Sequence, residues 1–495
     1  MTTTSDKTDL QTQHLENFIT SYTKRTQASK RYAQNYRPVL ADKSSLGLGF
    51  SPELKEMCYP VVVEKAAGAR LWDIDGNEYI DILMGLGINL LGHNPEFVKN
   101  AIATQLEKGF SMGPQAELAG EVAQLICELT GAERATFSNT GTEAIMTAIR
   151  MARTVTKRNK IAIFTNSYHG HSDNTLIRAT IAQYAKQAAS RKLEGKIAAG
   201  GLLSGLLRPI QSGLKNSVSP KGVPAAPGIP QDVAKNVLVL DYGNPQSLKV
   251  IEANKNQLAA VLVEPVQSRC PQLQPREFLQ QLRRVTKEAN IALIFDEMVT
   301  GFRIHQGGSQ AWFDIDADIV TYSKIVGGGL PMSVIAGKAA YMNCIDGGKW
   351  NYGDDSAPQT KTTFFAGTFC KHPLALAASK AVLEHLKTKG VQLQEKLNQR
   401  TSELVEELNI YFKKEGIPIT YTHFGSFFAA DNSQSKISPM ANNLMSFHLL
   451  QKGIHLRQGD KGGFLSTAHT EEDINKIIQA FKYSAKELQQ AGFIV

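Results

Sequence analysis

Between Ile291 and Pro331 the chain reads IALIFDEMVTGFRIHQGGSQAWFDIDADIVTYSKIVGGGLP. Two short, almost continuously apolar runs, IALIFDEM (Ile291–Met298) and ADIVTYSK (Ala317–Lys324), each finish in ionisable side chains. Apolar runs of that length without alternation predict strands covered on both faces, as in a parallel sheet. Ligands of such sheets bind beyond the carboxyl ends of the strands, which is where Asp296 and Lys324 stand. An Asp there is costly to bury unless paired, so Asp296 is expected to meet a cation or a protonated ring nitrogen. A Lys at the mouth of a buried sheet, followed by three glycines that permit close backbone approach, fits a Schiff-base amine whose pKa is lowered by burial.

The same alternation extends toward the N-terminus. A helix over 115–130 ends near Gly131, ERATFSN reads as a strand, Gly141–Arg153 as a helix and Lys160–Asn166 as a strand. Strands follow at Asn236–Tyr242 and Leu258–Val266, then a helix over EFLQQLRRVTKEAN. The expected class is α/β, with a mostly parallel sheet in a large domain plus a smaller α+β domain. Its expected division is a polar arm over 1–58, the first part of the small domain and a link over 59–115, the large domain over 116–380 and the small domain over 381–495. Within the arm, Leu15, Phe18, Ile19 and Tyr22 recur at helical spacing, predicting an amphipathic helix packed on something larger, often another subunit. GARLWDIDGNEYID (Gly68–Asp81) reads as two strands around an Asp75-Gly76 turn.

Three more strand ends carry chemistry. NTGTEA (Asn139–Ala144) joins a strand to a helix, and its first N–H groups with the Thr140 and Thr142 hydroxyls can surround a phosphate; such a start is also a plain helix cap. SYHGHSD (Ser167–Asp173) places Tyr168 and His169 where an aromatic ring can stack on a flat heterocycle or simply close the sheet edge. FDEM pairs two carboxylates, a pattern that also suggests a metal, but no His or further Asp stands nearby to complete a shell, and no metal is expected.

Composition bounds the alternatives. With 42% hydrophobic and 20% charged residues over 495 positions, the chain is an ordinary globular one, which excludes a collagen, a disulfide scaffold and a disordered chain. No apolar run approaches the roughly 18–20 residues of a membrane helix, and the polar N-terminus lacks a signal core, so a cytoplasmic protein is expected. The five cysteines lie far apart without CxxC spacing and are expected to be reduced. Net charge is +8, and residues 181–231 hold seven basic side chains (Lys186, Arg191, Lys192, Lys196, Arg208, Lys215, Lys221) against Glu194. That stretch, rich in Gly, Ala, Ser and Pro, is expected to be a lid or a surface insert, while the near-neutral remainder argues against a nucleic-acid partner.

An amine for an imine, a carboxylate for a ring nitrogen, a stacking aromatic and a phosphate cup together match pyridoxal phosphate. From Tyr59 onward, through WDIDGNEYID, NTGTEA, SYHGH, APGIP, VEPV, FDEMVTGFR, SKIVGGGLP, AGTFCKHPLA and STAHTEEDI, the sequence resembles the class III, fold-type I pyridoxal-phosphate aminotransferases, especially the glutamate-1-semialdehyde aminomutase branch. EPVQSRCPQLQPREFL and GTFCKHPLALAA further resemble the aminotransferase domains of polyketide and non-ribosomal peptide synthases.

The resemblance implies that Lys324 forms the imine and then moves the substrate proton, that Asp296 binds the pyridine nitrogen, and that Tyr168 and Met298 cover the two ring faces. It implies that Thr140, Gly141 and Thr142 hold the phosphate with Thr368 of a second subunit, in a homodimer with shared active sites, and it adds His169 and Glu264 to the cofactor contacts. Two positions depart from the aminomutase pattern. Its substrate-binding Arg, nine residues before the Pro ahead of the first strand, is Ser51 here, and no Arg occurs from Ala41 to Ala69. Its Asn five residues after the strand-end Glu is Arg269, which could grip a donor carboxylate or form an ion pair with Glu264 or Glu297. Arg303 is the second candidate for the donor, or a structural cation.

The implied activity is transfer of an amino group from an amino-acid donor such as glutamate to a carbonyl acceptor on a biosynthetic intermediate. A β-ketoacyl chain on an acyl carrier protein, which is acidic and would meet the basic 181–231 segment, is one such acceptor. An aminomutase, an amino-acid racemase of the same fold and a non-catalytic pyridoxal-phosphate-binding protein stay open as alternatives.

Overall fold

Six consecutive apolar residues, Leu258–Val263, are all fully buried, so this strand has no solvent face and no alternation. It lies in the middle of a seven-stranded sheet in the computed structural model, which describes residues 4–43, 50–110, 113, 115–181, 183, 185, 221–457, 459 and 462–495. In chain order the strands are β1 (Arg134–Ser138), β2 (Lys160–Phe164), β3 (Val237–Leu240), β4 (Leu258–Val263), β5 (Ala292–Asp296), β6 (Ile319–Tyr322) and β7 (Ser333–Gly337). Their order across the sheet is β1-β7-β6-β5-β4-β2-β3. All run parallel except β7, which is antiparallel to both neighbours and pairs Ser333 with Ser138 and Ile335 with Thr321. The expected mostly parallel α/β sheet is therefore present; β7 is the strand that sequence reading did not anticipate.

Helices cover this sheet because their sequences each offer one apolar stripe. Helix α1 (Leu118–Thr130) buries Ala119, Val122 and Ile126. Helix α2 (Gly141–Thr156) buries Ala144, Ile145, Ala148, Ile149, Met151 and Ala152 in the same core cluster as Ile161, Leu262, Ile294 and Ile335. Helix α3 (Arg276–Glu288) turns Phe278, Leu279 and Leu282 inward. A short antiparallel pair joins Ile177–Ala179 to Gly222–Pro224. Of the basic segment, Lys186, Arg191, Lys192, Lys196, Arg208 and Lys215 lie outside the described residues, and Lys221 bridges to Leu238.

These elements belong to one compact unit, Thr104–Arg269 with Leu273–Thr388; the other unit comprises Met1–Ala103, Cys270–Gln272 and Lys389–Val495. The second unit is α+β. Val63–Ala67, Arg70–Asp73 and Glu78–Asp81 form a meander that is extended by Ile454–His455, and Tyr421–Phe424, Phe427–Ala430 and Gly462–Phe464 form a second sheet. The Asp75-Gly76 turn lies between two of those strands, with Gly76 at φ +82°. The N-terminal arm is helical over Thr4–Arg25 and docks within its own unit: Phe18 stacks on His448 at 4.1 Å, and Tyr22 meets Phe447 edge-on. Among the described residues no helix is long and apolar enough to cross a membrane.

Candidate active site

At the end of β5 Asp296 is 4% exposed, and each oxygen of its carboxylate accepts one hydrogen bond from the protein. Oδ2 accepts a 2.6 Å hydrogen bond from His169 Nδ1, and Oδ1 accepts one from the Met298 backbone N–H at 3.1 Å. Because Nδ1 donates, the imidazole tautomer is set by Asp296. His169 Nε2 is buried and has no hydrogen-bond partner among the described residues.

Tyr168 and His169 follow β2, and Glu264 follows β4, its neighbour in the sheet. Glu264 accepts from the Tyr168 N–H at 2.9 Å and from the Ser268 N–H at 3.5 Å, so one buried carboxylate ties the two strand ends together. Burial raises its pKa to about 7, with Asp296 adding to the rise and His169 opposing it. The Tyr168 ring itself is about half exposed.

The cup lies where β1 hands over to α2. Thr140 is the N-cap: its hydroxyl accepts from the Glu143 N–H, and the Glu143 carboxylate accepts from the N–H groups of Asn139 and Thr140. The first helical N–H groups have no intrahelical acceptor, and among the described residues none takes those of Gly141 and Thr142. Gly141 keeps this start open on one side, since a Cβ there would stand 3.0 Å from the Met298 sulfur. The Thr142 hydroxyl accepts from the His171 N–H at 3.3 Å, joining the cup to the loop that carries Tyr168 and His169.

Lys324 begins a single 3-10 turn after β6, with φ +53°. A non-glycine residue held in the left-handed region stores backbone strain, and such strain clusters at functional sites. Burial pushes the Lys324 ammonium pKa down and Arg303 reinforces this, while Asp296 and Glu264 oppose it. The turn is pinned by the Ser323 hydroxyl, which donates to the Met332 carbonyl and accepts from Ser333, both at 2.8 Å. One of the three glycines has a packing reason of its own: Gly328, at φ +59°, lies so close to helix Pro373–Lys389 that a Cβ would be 3.1 Å from the Ala378 carbonyl.

The two arginines are placed very differently. Arg303 is 1% exposed, and burial lowers its pKa to about 9. Arg269 is exposed, with its guanidinium carbon 5.7 Å from the Tyr168 ring centroid. Among the described residues Arg269 forms no ion pair with Glu264 or Glu297, the expected alternative, and both carboxylates accept from other donors. Glu297 accepts from the Ser309 and Gln310 N–H groups and from the Thr300 hydroxyl, so it caps the short helix Gly308–Phe313. Burial raises its pKa to about 7. Asp296 and Glu297, adjacent in sequence, thus serve different partners, and the only sign of this in the sequence is the glycine pair ahead of that helix. Thr368 is exposed in the single chain, and neighbouring Gly367 runs beside Asn139 of the same chain.

The residues present fit pyridoxal phosphate. A phosphate finds open N–H groups at the start of a sixteen-residue helix. A ring nitrogen finds a buried carboxylate already oriented by His169, and an aldehyde finds an amine whose pKa burial has lowered.

Comparison with known proteins agrees with this geometry. A family profile, aminotransferase class-III, matches residues 51–198 and 210–483. A glutamate-1-semialdehyde 2,1-aminomutase from Alkaliphilus oremlandii is 33% identical over 451 residues, 87% of this chain and 92% of the relative. Among solved structures, a glutamate-1-semialdehyde aminomutase from Pseudomonas aeruginosa superposes with a TM-score of 0.78 at 20% identity, covering 97% of this chain and 99% of the other. A transaminase with PLP bound gives a TM-score of 0.75 at 24% identity, covering 94% and 99%. With a buried lysine, a buried carboxylate and an open helix start at the strand ends of this sheet, and with a family profile over most of its length, the chain belongs to the class-III aminotransferases, pyridoxal-phosphate-dependent enzymes of fold type I.

Proposed function

We propose that this enzyme moves an amino group from an amino-acid donor, glutamate, to a carbonyl of a biosynthetic intermediate, such as a carrier-bound β-ketoacyl chain. The observation that carries an external donor is Ser51. Where the aminomutases it resembles place a substrate-binding Arg, this chain has a serine whose hydroxyl donates to Glu53 at 2.5 Å, and no Arg occurs from Ala41 to Ala69. A free glutamate semialdehyde would lack that arginine as a partner for its carboxylate.

Pyridoxal phosphate, when bound, would supply an aldehyde able to carry an amino group between substrates and a ring that serves as an electron sink. Asp296, held by His169, keeps a ring nitrogen protonated. Thr140, Gly141 and Thr142 hold the phosphate, Thr368 of a second copy completes the cup in a homodimer, and Tyr168 and Met298 border the ring faces. Lys324 Nζ, whose pKa burial lowers, is placed to take the proton from the substrate carbon that bears nitrogen and to deliver it to the carbon on the far side of that nitrogen. Arg303, out of reach of solvent, acts through its charge on Lys324.

A second reading, an aminomutase that needs no external donor, is favoured by the names of the relatives. The deciding experiment exposes the holoenzyme to single amino acids, follows the cofactor spectrum and identifies the released acid by mass spectrometry. Release of 2-oxoglutarate from glutamate is expected. If no amino acid yields an oxo acid, the transaminase reading fails, and semialdehyde or diamino substrates become the next test.

A further inference from the structure

The loop after β4 is anchored at three buried points. Glu264 binds the Tyr168 and Ser268 N–H groups, the Pro265 carbonyl accepts from the Tyr242 hydroxyl at 2.6 Å, and Gln267 Nε2 donates to the Thr165 carbonyl at 2.8 Å. A loop held this firmly ends in Arg269, whose side chain is exposed and lies over the Tyr168 ring. A ring face stabilises the cation without consuming its N–H donors, so the guanidinium fork stays open to a planar anion. Among the described residues no carboxylate pairs with it. Glu264, Asp296 and Glu297, the acids of the neighbouring strand ends, are each committed to other donors. Arg303, the other arginine at these strand ends, is buried and closed to a solute.

We propose that Arg269 is the specificity-determining residue for the amino donor: it binds the donor carboxylate, and so restricts donors to amino acids rather than simple amines. This rests on the aminotransferase reading above. Arg269 touches no reacting atom in this role; it holds the substrate by a charge-assisted, two-pronged hydrogen bond.

The test compares Arg269→Met and Arg269→Lys with the parent holoenzyme, using L-glutamate and the carboxyl-free amine 1-phenylethylamine in the donor half-reaction. Loss of a charge-assisted bidentate contact should raise KM for glutamate by about 10- to 100-fold while the saturating rate changes less than about threefold. Arg269→Lys should fall between, and kcat/KM for the amine should not drop. In parallel, calorimetry with glutarate, a dicarboxylate that cannot react, should show binding to the parent that Arg269→Met abolishes. An equal fall for both donors, or unchanged glutarate binding in Arg269→Met, overturns the proposal. If the parent converts no donor at all, the aminotransferase reading has failed, and the glutarate titration alone decides the role of Arg269.

Discussion

His169 Nδ1 lies 2.6 Å from Asp296 Oδ2, with both side chains almost wholly removed from water. The carboxylate thereby keeps a fixed direction at the end of β5 before any ligand arrives. Replacing His169 with Phe strands a buried carboxylate and should cost about 3 kcal/mol in urea unfolding. Asp296→Asn keeps the shape but gives up the charge. It should fold normally and lose at least roughly a hundredfold in kcat. A variant that keeps near-parental turnover would remove Asp296 from the mechanism.

Lys324 is the expected point of covalent attachment. Borohydride reduction of the holoenzyme followed by peptide mass spectrometry should place a pyridoxyl group on Lys324. Lys324→Ala should take none, with its unfolding free energy unchanged within about 1 kcal/mol. A label on any other lysine would sink the assignment.

Gly328 and Gly329 both have positive φ, but only Gly328 faces a neighbour, Ala378. An L-residue in the left-handed region costs about 1–2 kcal/mol. Gly329→Ala should show that cost alone, whereas Gly328→Ala should show it plus the displacement of helix Pro373–Lys389. Denaturant midpoints separate the two, and equal losses would mean that the approach to Ala378 contributes nothing.

The N-terminal helix should loosen in acid. His14 Nε2 is 3.2 Å from His448 Nε2, and His448 Nδ1 is 3.0 Å from Glu487, which Lys452 also contacts at 3.1 Å. The facing nitrogens can share one proton but not hold two. Burial and the nearby His448 lower the His14 pKa, and Glu487 only partly offsets this. The folded chain therefore binds this proton less readily than the unfolded one. The associated stability is present above the unfolded value of about 6.5 and is lost as pH falls below it. Protection factors for amide hydrogen exchange over 9–25, corrected for the intrinsic pH dependence of exchange, should fall between about pH 7 and 5, and His14→Phe should flatten that fall.

How far the sequence could be read depended on the range of the interaction. Strands such as Leu258–Val263 and helix α2 were legible because burial on both faces and a capped apolar stripe leave local signatures. Asp296 and Lys324 stood out because ionisable groups rarely end such strands. The direction of β7 was not legible: SVIAG is apolar whichever way it runs, and although β6 immediately precedes it, its other partner, β1, lies far back in the chain. Nor could the chain order tell that Glu297 turns to Ser309 and Gln310, that Gly328 is required by its approach to Ala378, or that Arg303 is sealed while Arg269 rests on Tyr168. Each of these depends on a contact between segments with no common periodicity.

The antiparallel strand also orders events during synthesis. β1, which leads directly into Thr140–Thr142, lies at the edge of the sheet, and β7 is its only sheet neighbour among the described residues. β2 through β6 can pair as they leave the ribosome, but β1, made before any of them, has no place in the sheet until Gly337 has emerged. The proposed seat for the phosphate is thus among the first parts of the large unit to be translated and among the last to be locked into the sheet, so cofactor uptake there is expected to wait for that long-range pairing.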